Sequence, residues 1–237
     1  MNRKIMGSEC LRFFSSPWCV LGLGAALMAP PIAVLLFDKA LIPTDTAVFS
    51  LCVRMLYIGQ LGGVLASAAY LGQEYSDSAL RTTLLGMPQR LKLALIKYAL
   101  LGILILLAGG LAALLCLLVI FCQGSGFPPV SQYLKMVGPG LISWVQLAWL
   151  SAGLSILTKS FIAPIAVLGP LILGFSQGLY SISKLARFLP DLATWNLFFG
   201  PGQAVFLPPV QGLLVQLCWL LGLTSFAFWR FTSRDVR

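Results

Sequence analysis

Long uncharged apolar intervals alternate along this chain with short clusters of ionisable residues. They run over 17–37, 55–71, 98–122, 139–158, 161–180 and 208–229. A helix needs about 20 apolar residues to cross roughly 30 Å of hydrocarbon, so the pattern predicts an all-α integral membrane protein with six transmembrane helices. No connection between them is long enough for a soluble domain, and 1–237 reads as one transmembrane domain. A cleaved signal peptide is the rival reading of the first interval. That interval is long, starts late and holds Pro30-Pro31 where a signal peptide's apolar stretch is continuous.

Two segments break the alternation. Before the first span, Met6, Cys10, Phe13 and Phe14 share one face at helical spacing, with Glu9 and Arg12 pointing elsewhere. Residues 1–16 therefore predict an amphipathic helix in the membrane interface. Before the last span, 183–207 is too interrupted to cross and too apolar for a water-exposed loop. Breaks at Pro190 and Gly200-Pro201-Gly202 predict short, broken helices that re-enter the outer leaflet.

Composition agrees with the spans. Of 237 residues, 59% are hydrophobic and 10% charged, with mean hydropathy +0.92, against about 25% charged in soluble domains. The 16 Lys+Arg against 7 Asp+Glu sit at the ends of apolar runs, where they orient helices, so a nucleic-acid partner is not expected. With the N-terminus inside, Arg3, Lys4, Arg12, Arg81, Arg90, Lys92, Lys97, Lys159, Arg230, Arg234 and Arg237 are cytoplasmic. Only Lys39, Lys135, Lys184 and Arg187 lie outside, with Arg54 near an outer span end, so both termini are expected in the cytoplasm. The 6 cysteines form no CxxC and His is absent, which removes the commonest metal patterns; no metal site is expected.

The stretch LGQEYSDSALRTTLLGMP, 71–88, lies on the cytoplasmic side of this topology. Ser76 or Asp77 caps a short helix that Gly86 and Pro88 stop, and Leu80, Leu84 and Met87 form an apolar stripe along it. Glu74, Asp77, Arg81, Arg90 and Lys92 rim the stripe. Acids are disfavoured beside anionic lipid, so an apolar anchor with a charged rim favours docking on a protein partner over lying on headgroups.

These residues carry a family resemblance. Gly72-x-Glu74-Tyr75, Leu80-Arg81-Thr82-x-Leu84, Pro88-x-Arg90 and Lys97 resemble the segment joining the second and third helices in permease subunits of ABC-2 type ATP-binding cassette transporters. The likeness extends to an elbow helix at 1–16, to Phe188–Ala193 (FLPDLA) as an external motif, and to the ending Arg234-Asp235-Val236. It implies a cytoplasmic coupling helix between spans 2 and 3, within 73–92, that meets an ATPase through Glu74, Tyr75, Leu80, Arg81, Leu84, Met87 and Arg90. It further implies a nucleotide-binding ATPase subunit that holds ATP and Mg, a second permease copy or related permease, and a bacterial cytoplasmic membrane. The short length, with no large outer domain, looks like permeases that protect their hosts against antimicrobial peptides or lantibiotics.

The chain has no GxxxxGK[ST] loop to cradle phosphates, so it is not expected to be an ATPase. Nor do the spans carry ionisable residues at mid-depth, as a proton relay or coupling-ion site needs; Arg54 is expected to snorkel outward. Their neutral polar residues, Gln60, Gln146, Ser151, Gln177 and Gln216 with Trp144 and Trp149, leave two readings open. Gln60, Gln146, Trp149 and Gln177 line a translocation path, or they hydrogen-bond helix to helix. Small residues at Gly59, Gly63 and Ser67, and at Gly174 and Gly178, fit tight packing in the bundle or a dimer seam. Pro164 and Pro170 are expected to bend the fifth span. An ATP-independent carrier or channel is the alternative function. A membrane enzyme would need clustered acids or a nucleophile at one depth, which the sequence lacks.

Overall fold

The computed structural model describes residues 2–36, 45–76, 90–123, 129–200 and 206–233. Regular structure among them is helical throughout. The longer helices are α1 (Asn2–Ser15), α2 (Pro17–Leu36), α3 (Asp45–Ser76), α4 (Arg90–Cys122) and α5 (Val130–Thr158). The fifth span divides into α6 (Ile162–Pro170), a π-helical turn (Leu171–Phe175) and α7 (Ser176–Ile182). After it come 3-10 turns at Lys184–Phe188 and Leu192–Thr194, then α8 (Trp195–Phe199) and α9 (Pro209–Ser233).

Among the described residues, six segments are long and apolar enough to cross a membrane: Pro17–Leu36, Ser50–Gln73, Lys92–Cys122, Val130–Thr158, Ile162–Ile182 and Pro209–Arg230. The chain is thus of multi-pass membrane type. Several helices outrun the apolar intervals, because a charge ends the stretch fit for hydrocarbon without ending the helix. The helix expected over 139–158 begins at Val130: Lys135 stays exposed while Tyr133 and Val137 turn inward, and Pro139 lies within the helix.

Helices α3 and α5 form the centre, 72% buried over their apolar windows, against 28–39% for the other four spans. They run parallel, tied by rungs at successive depths: Trp144 Nε1 donates to the Leu56 carbonyl (3.1 Å), Ser151 Oγ to that of Val64 (3.0 Å) and Ser155 Oγ to that of Ala68 (3.3 Å). Each is an indole or hydroxyl that would be costly to bury without a partner. Helix α2 runs antiparallel against α3 at near backbone contact. A Cβ on Gly22 would lie 2.4 Å from the Ala66 nitrogen, and one on Gly62 2.2 Å from the Ala26 nitrogen. The Gly59 stripe is likewise spent inside the bundle, where the Trp144 ring fills the space a Cβ would need. Gly174 and Gly178 face open space.

The break in the fifth span falls after Pro170, at Gly174, whose φ of 111° is one that glycine adopts without a steric cost. Pro164 sits in the first turn of α6, where its missing N–H deprives the helix of little. Glu9 of α1 meets Tyr70 of α3 and Lys97 of α4, and Tyr98 of α4 meets Phe228 of α9, so α1, the end of α3, the start of α4 and the end of α9 lie together; we call this the α1 end. The 3-10 turns, α8 and the start of α9 occupy the opposite end.

Candidate functional site

At the α1 end, Lys97 enters the bundle one and a half turns into its span and is 2% exposed. Its ammonium lies 2.5 Å from Glu9 Oε2, which also accepts from the Tyr70 hydroxyl at 2.8 Å. The Lys97 nitrogen stands 4.7 Å from the centroid of the Tyr70 ring, and Phe13 packs edge-on against that ring at 5.2 Å. Next to this cluster Ser16 Oγ donates to Gln73 Oε1 (2.7 Å). One acid on α1 therefore grips α3 six residues before its last residue, Ser76, and α4 seven residues after its first, Arg90.

This corrects the expected orientation of α1. Glu9 does not point away from the bundle; Glu9 and Phe13, spaced i and i+4, form the docking face, while Met6 and Phe14 are exposed. The reason is electrostatic. A buried ammonium without a counter-charge costs several kcal/mol, so the acid is drawn in with it.

The expected coupling residues stand in the connection that this clamp flanks. Glu74 and Tyr75 fall in the last turn of α3 and Arg90 opens α4, with their side chains outside the described set. Leu80, Arg81, Leu84 and Met87 lie outside the described residues altogether.

Of the expected path residues, Gln60 and Gln146 are buried at the α3–α5 centre, where Gln60 Nε2 donates to Ser143 Oγ (3.3 Å). The amide oxygens of both lack partners among the described residues, as do both amide atoms of the fully buried Gln216 on α9. Trp149 faces α4, its Nε1 donating to the Tyr98 carbonyl (2.9 Å). Gln177 is exposed on α7 and does not join them.

A second buried acid occupies the opposite end. Asp191, 1% exposed, contacts the Ser176 hydroxyl through Oδ2, while Oδ1 has no partner among the described residues. Ser176 Oγ is also placed to donate to the Leu171 carbonyl at 3.0 Å, in the π turn. The one hydroxyl proton is shared between these two acceptors. Burial pushes the Asp191 carboxyl above the usual carboxylate range, against the opposing pull of Ser176 and of the Asp191 and Leu192 amides. Beside it, Tyr57 of α3 meets Trp195, Phe198 and Phe199 edge-on at 5.3–5.4 Å, fastening α8 to the bundle.

Sequence reasoning did not pair Glu9 with Lys97 or Asp191 with Ser176. The available signals were an acid inside an apolar N-terminal helix, a lysine opening an apolar run, and an aspartate in an otherwise apolar FLPDLA. No protein-family model, curated protein or solved structure matches the chain.

Proposed function

We propose that the chain is the permease subunit of an ABC-2-like ATP-binding cassette transporter, driven by a separate nucleotide-binding ATPase. The observation that carries this reading is the Glu9–Lys97–Tyr70 clamp. It binds α1 to both helices that lead into and out of 77–89, so a push on that connection moves three helices as one body. Buried ionisable side chains among the described residues lie at the ends of the bundle, Glu9 and Lys97 at one and Asp191 at the other. Such an arrangement suits a drive that arrives from outside the membrane.

In this reading Glu74, Tyr75, Leu80, Arg81, Leu84, Met87 and Arg90 meet the ATPase, which binds ATP and Mg. The α1 end faces the cytoplasm of a bacterial cell, and a second permease copy or a related permease completes the assembly. An amphipathic cargo, such as an antimicrobial peptide, a drug or a lipid, is exported. The amide oxygens of Gln60 and Gln146 and both amide atoms of Gln216, without partners among the described residues, favour a second reading, an ATP-independent carrier or channel with a polar file through the bundle.

Co-purification with an ATPase, followed by Leu80→Asp and Leu84→Asp, separates the two. A charged group on a docking anchor costs more than about 2 kcal/mol, so stimulated turnover and transport should fall more than tenfold. Transport that persists unaltered, with or without nucleotide, overturns the proposal in favour of the carrier.

A further inference from the structure

The 3-10 turn Lys184–Phe188 places its side chains in eclipsed rows, because residues i and i+3 superimpose at three residues per turn. Lys184 and Arg187 form one row, exposed and without ion-pair partners among the described residues. Leu185 and Phe188 form a second, and buried Ala186 faces inward. The second row walls a groove of about 330 Å³, closed by Leu179, Ile182 and Leu189 and by Trp219 of α9.

The polar groups of this groove are already occupied. Trp219 Nε1 donates to the Phe188 carbonyl (2.7 Å), and Ser183 Oγ accepts from the Leu185 amide (3.4 Å). What remains for a ligand is hydrocarbon, with Ile182 84% and Leu185 75% exposed. At the rim, the Arg187 guanidinium stands 4.8 Å from the centroid of the Phe188 ring, so the cationic row and the apolar wall adjoin. The turn directly follows the fifth span and therefore lies at membrane-surface depth.

We propose that this groove retains an anionic phospholipid, one acyl chain along Leu185, Phe188 and Trp219, and the phosphate on Lys184 and Arg187. Paired cations above an apolar slot match a molecule with a negative head and an oily tail. A zwitterionic lipid supplies the tail without the net charge. The proposal depends on the chain spanning a bilayer and not on any ATPase partner.

The test is native mass spectrometry of the full-length protein in mixed micelles containing phosphatidylglycerol and phosphatidylcholine with identical chains. Wild type should retain phosphatidylglycerol preferentially. Lys184→Gln and Arg187→Gln, both exposed, should each cut that preference about fivefold. Lys135→Gln, at the same end but outside the groove, should leave it unchanged, and Ile182→Trp should lower retention of both lipids. The proposal is overturned if the double Lys184→Gln/Arg187→Gln variant keeps the preference, or if Lys135→Gln loses it equally. It is also overturned if glycerophosphate, a head without tails, displaces the lipid at equal concentration, since the groove would then add nothing to a plain anion site.

Discussion

Among the described residues, the two ends of the bundle each bury one acid and treat it oppositely. At the α1 end Glu9 has a cation and a phenol, so charge is neutralised by pairing and three helices are fastened together. At the other end Asp191 has a hydroxyl, while Lys184 and Arg187, a few residues earlier in the chain, turn outward. Burial there pushes the carboxyl above the usual carboxylate range, so it holds a proton more tightly than a free aspartate does. A paired charge loses its support when either partner is removed; a desolvated acid answers to pH.

The largest expected effect breaks the pair. Glu9→Ala takes the counter-charge from buried Lys97 and should destabilise by about 3–5 kcal/mol, whereas Glu9→Gln with Lys97→Met should recover most of that loss. Denaturation of the purified variants in one detergent measures both, and equal stability of the single and double variants would remove the distinction between the ends.

Next comes the hydroxyl. Ser176→Ala takes from Asp191 Oδ2 the one side-chain hydrogen bond it has among the described residues and should cost about 1–3 kcal/mol. Its absence also raises the carboxyl further, since Ser176 is among the groups pulling it down.

The pH dependence sharpens the contrast. Asp191 binds its proton more tightly folded than unfolded, where an aspartate titrates near about 3.9. Its contribution is therefore fully present below that value and is lost as pH rises through the higher folded value. Wild type should lose thermal stability over that rise, and Asp191→Asn should lose less. Parallel melting-temperature profiles of the two proteins would contradict the tighter hold of the folded carboxyl on its proton. Smallest of all, Lys184→Gln with Arg187→Gln should change stability by no more than about 0.5 kcal/mol, because both side chains are exposed.

The multi-pass helical architecture was legible because hydrocarbon tolerates few charges, so ionisable residues bracket the spans. Helix ends were less so: Lys135 stops an apolar run, yet α5 passes through it with that side chain turned outward. The docking face of α1 was misread for a related reason. Helical periodicity groups side chains by chemical type, while the partner that draws Glu9 inward is 88 residues away. The same holds for the α2–α3 approach, where Gly22 and Gly62 matter through backbone contacts that their spacing does not reveal. The GxxxG pattern at Gly59 did mark close packing, without saying that Trp144 would fill it.

Under the proposed function, force entering at the α1 end travels through the Glu9–Lys97 contact. Charge reversal tests this in a complex reconstituted with the proposed ATPase partner, where Glu9→Lys and Lys97→Glu are compared singly and together. The account predicts that each single variant loses transport while the paired reversal restores it alongside normal ATP turnover. Full transport by the well-folded Glu9→Lys protein alone would contradict it.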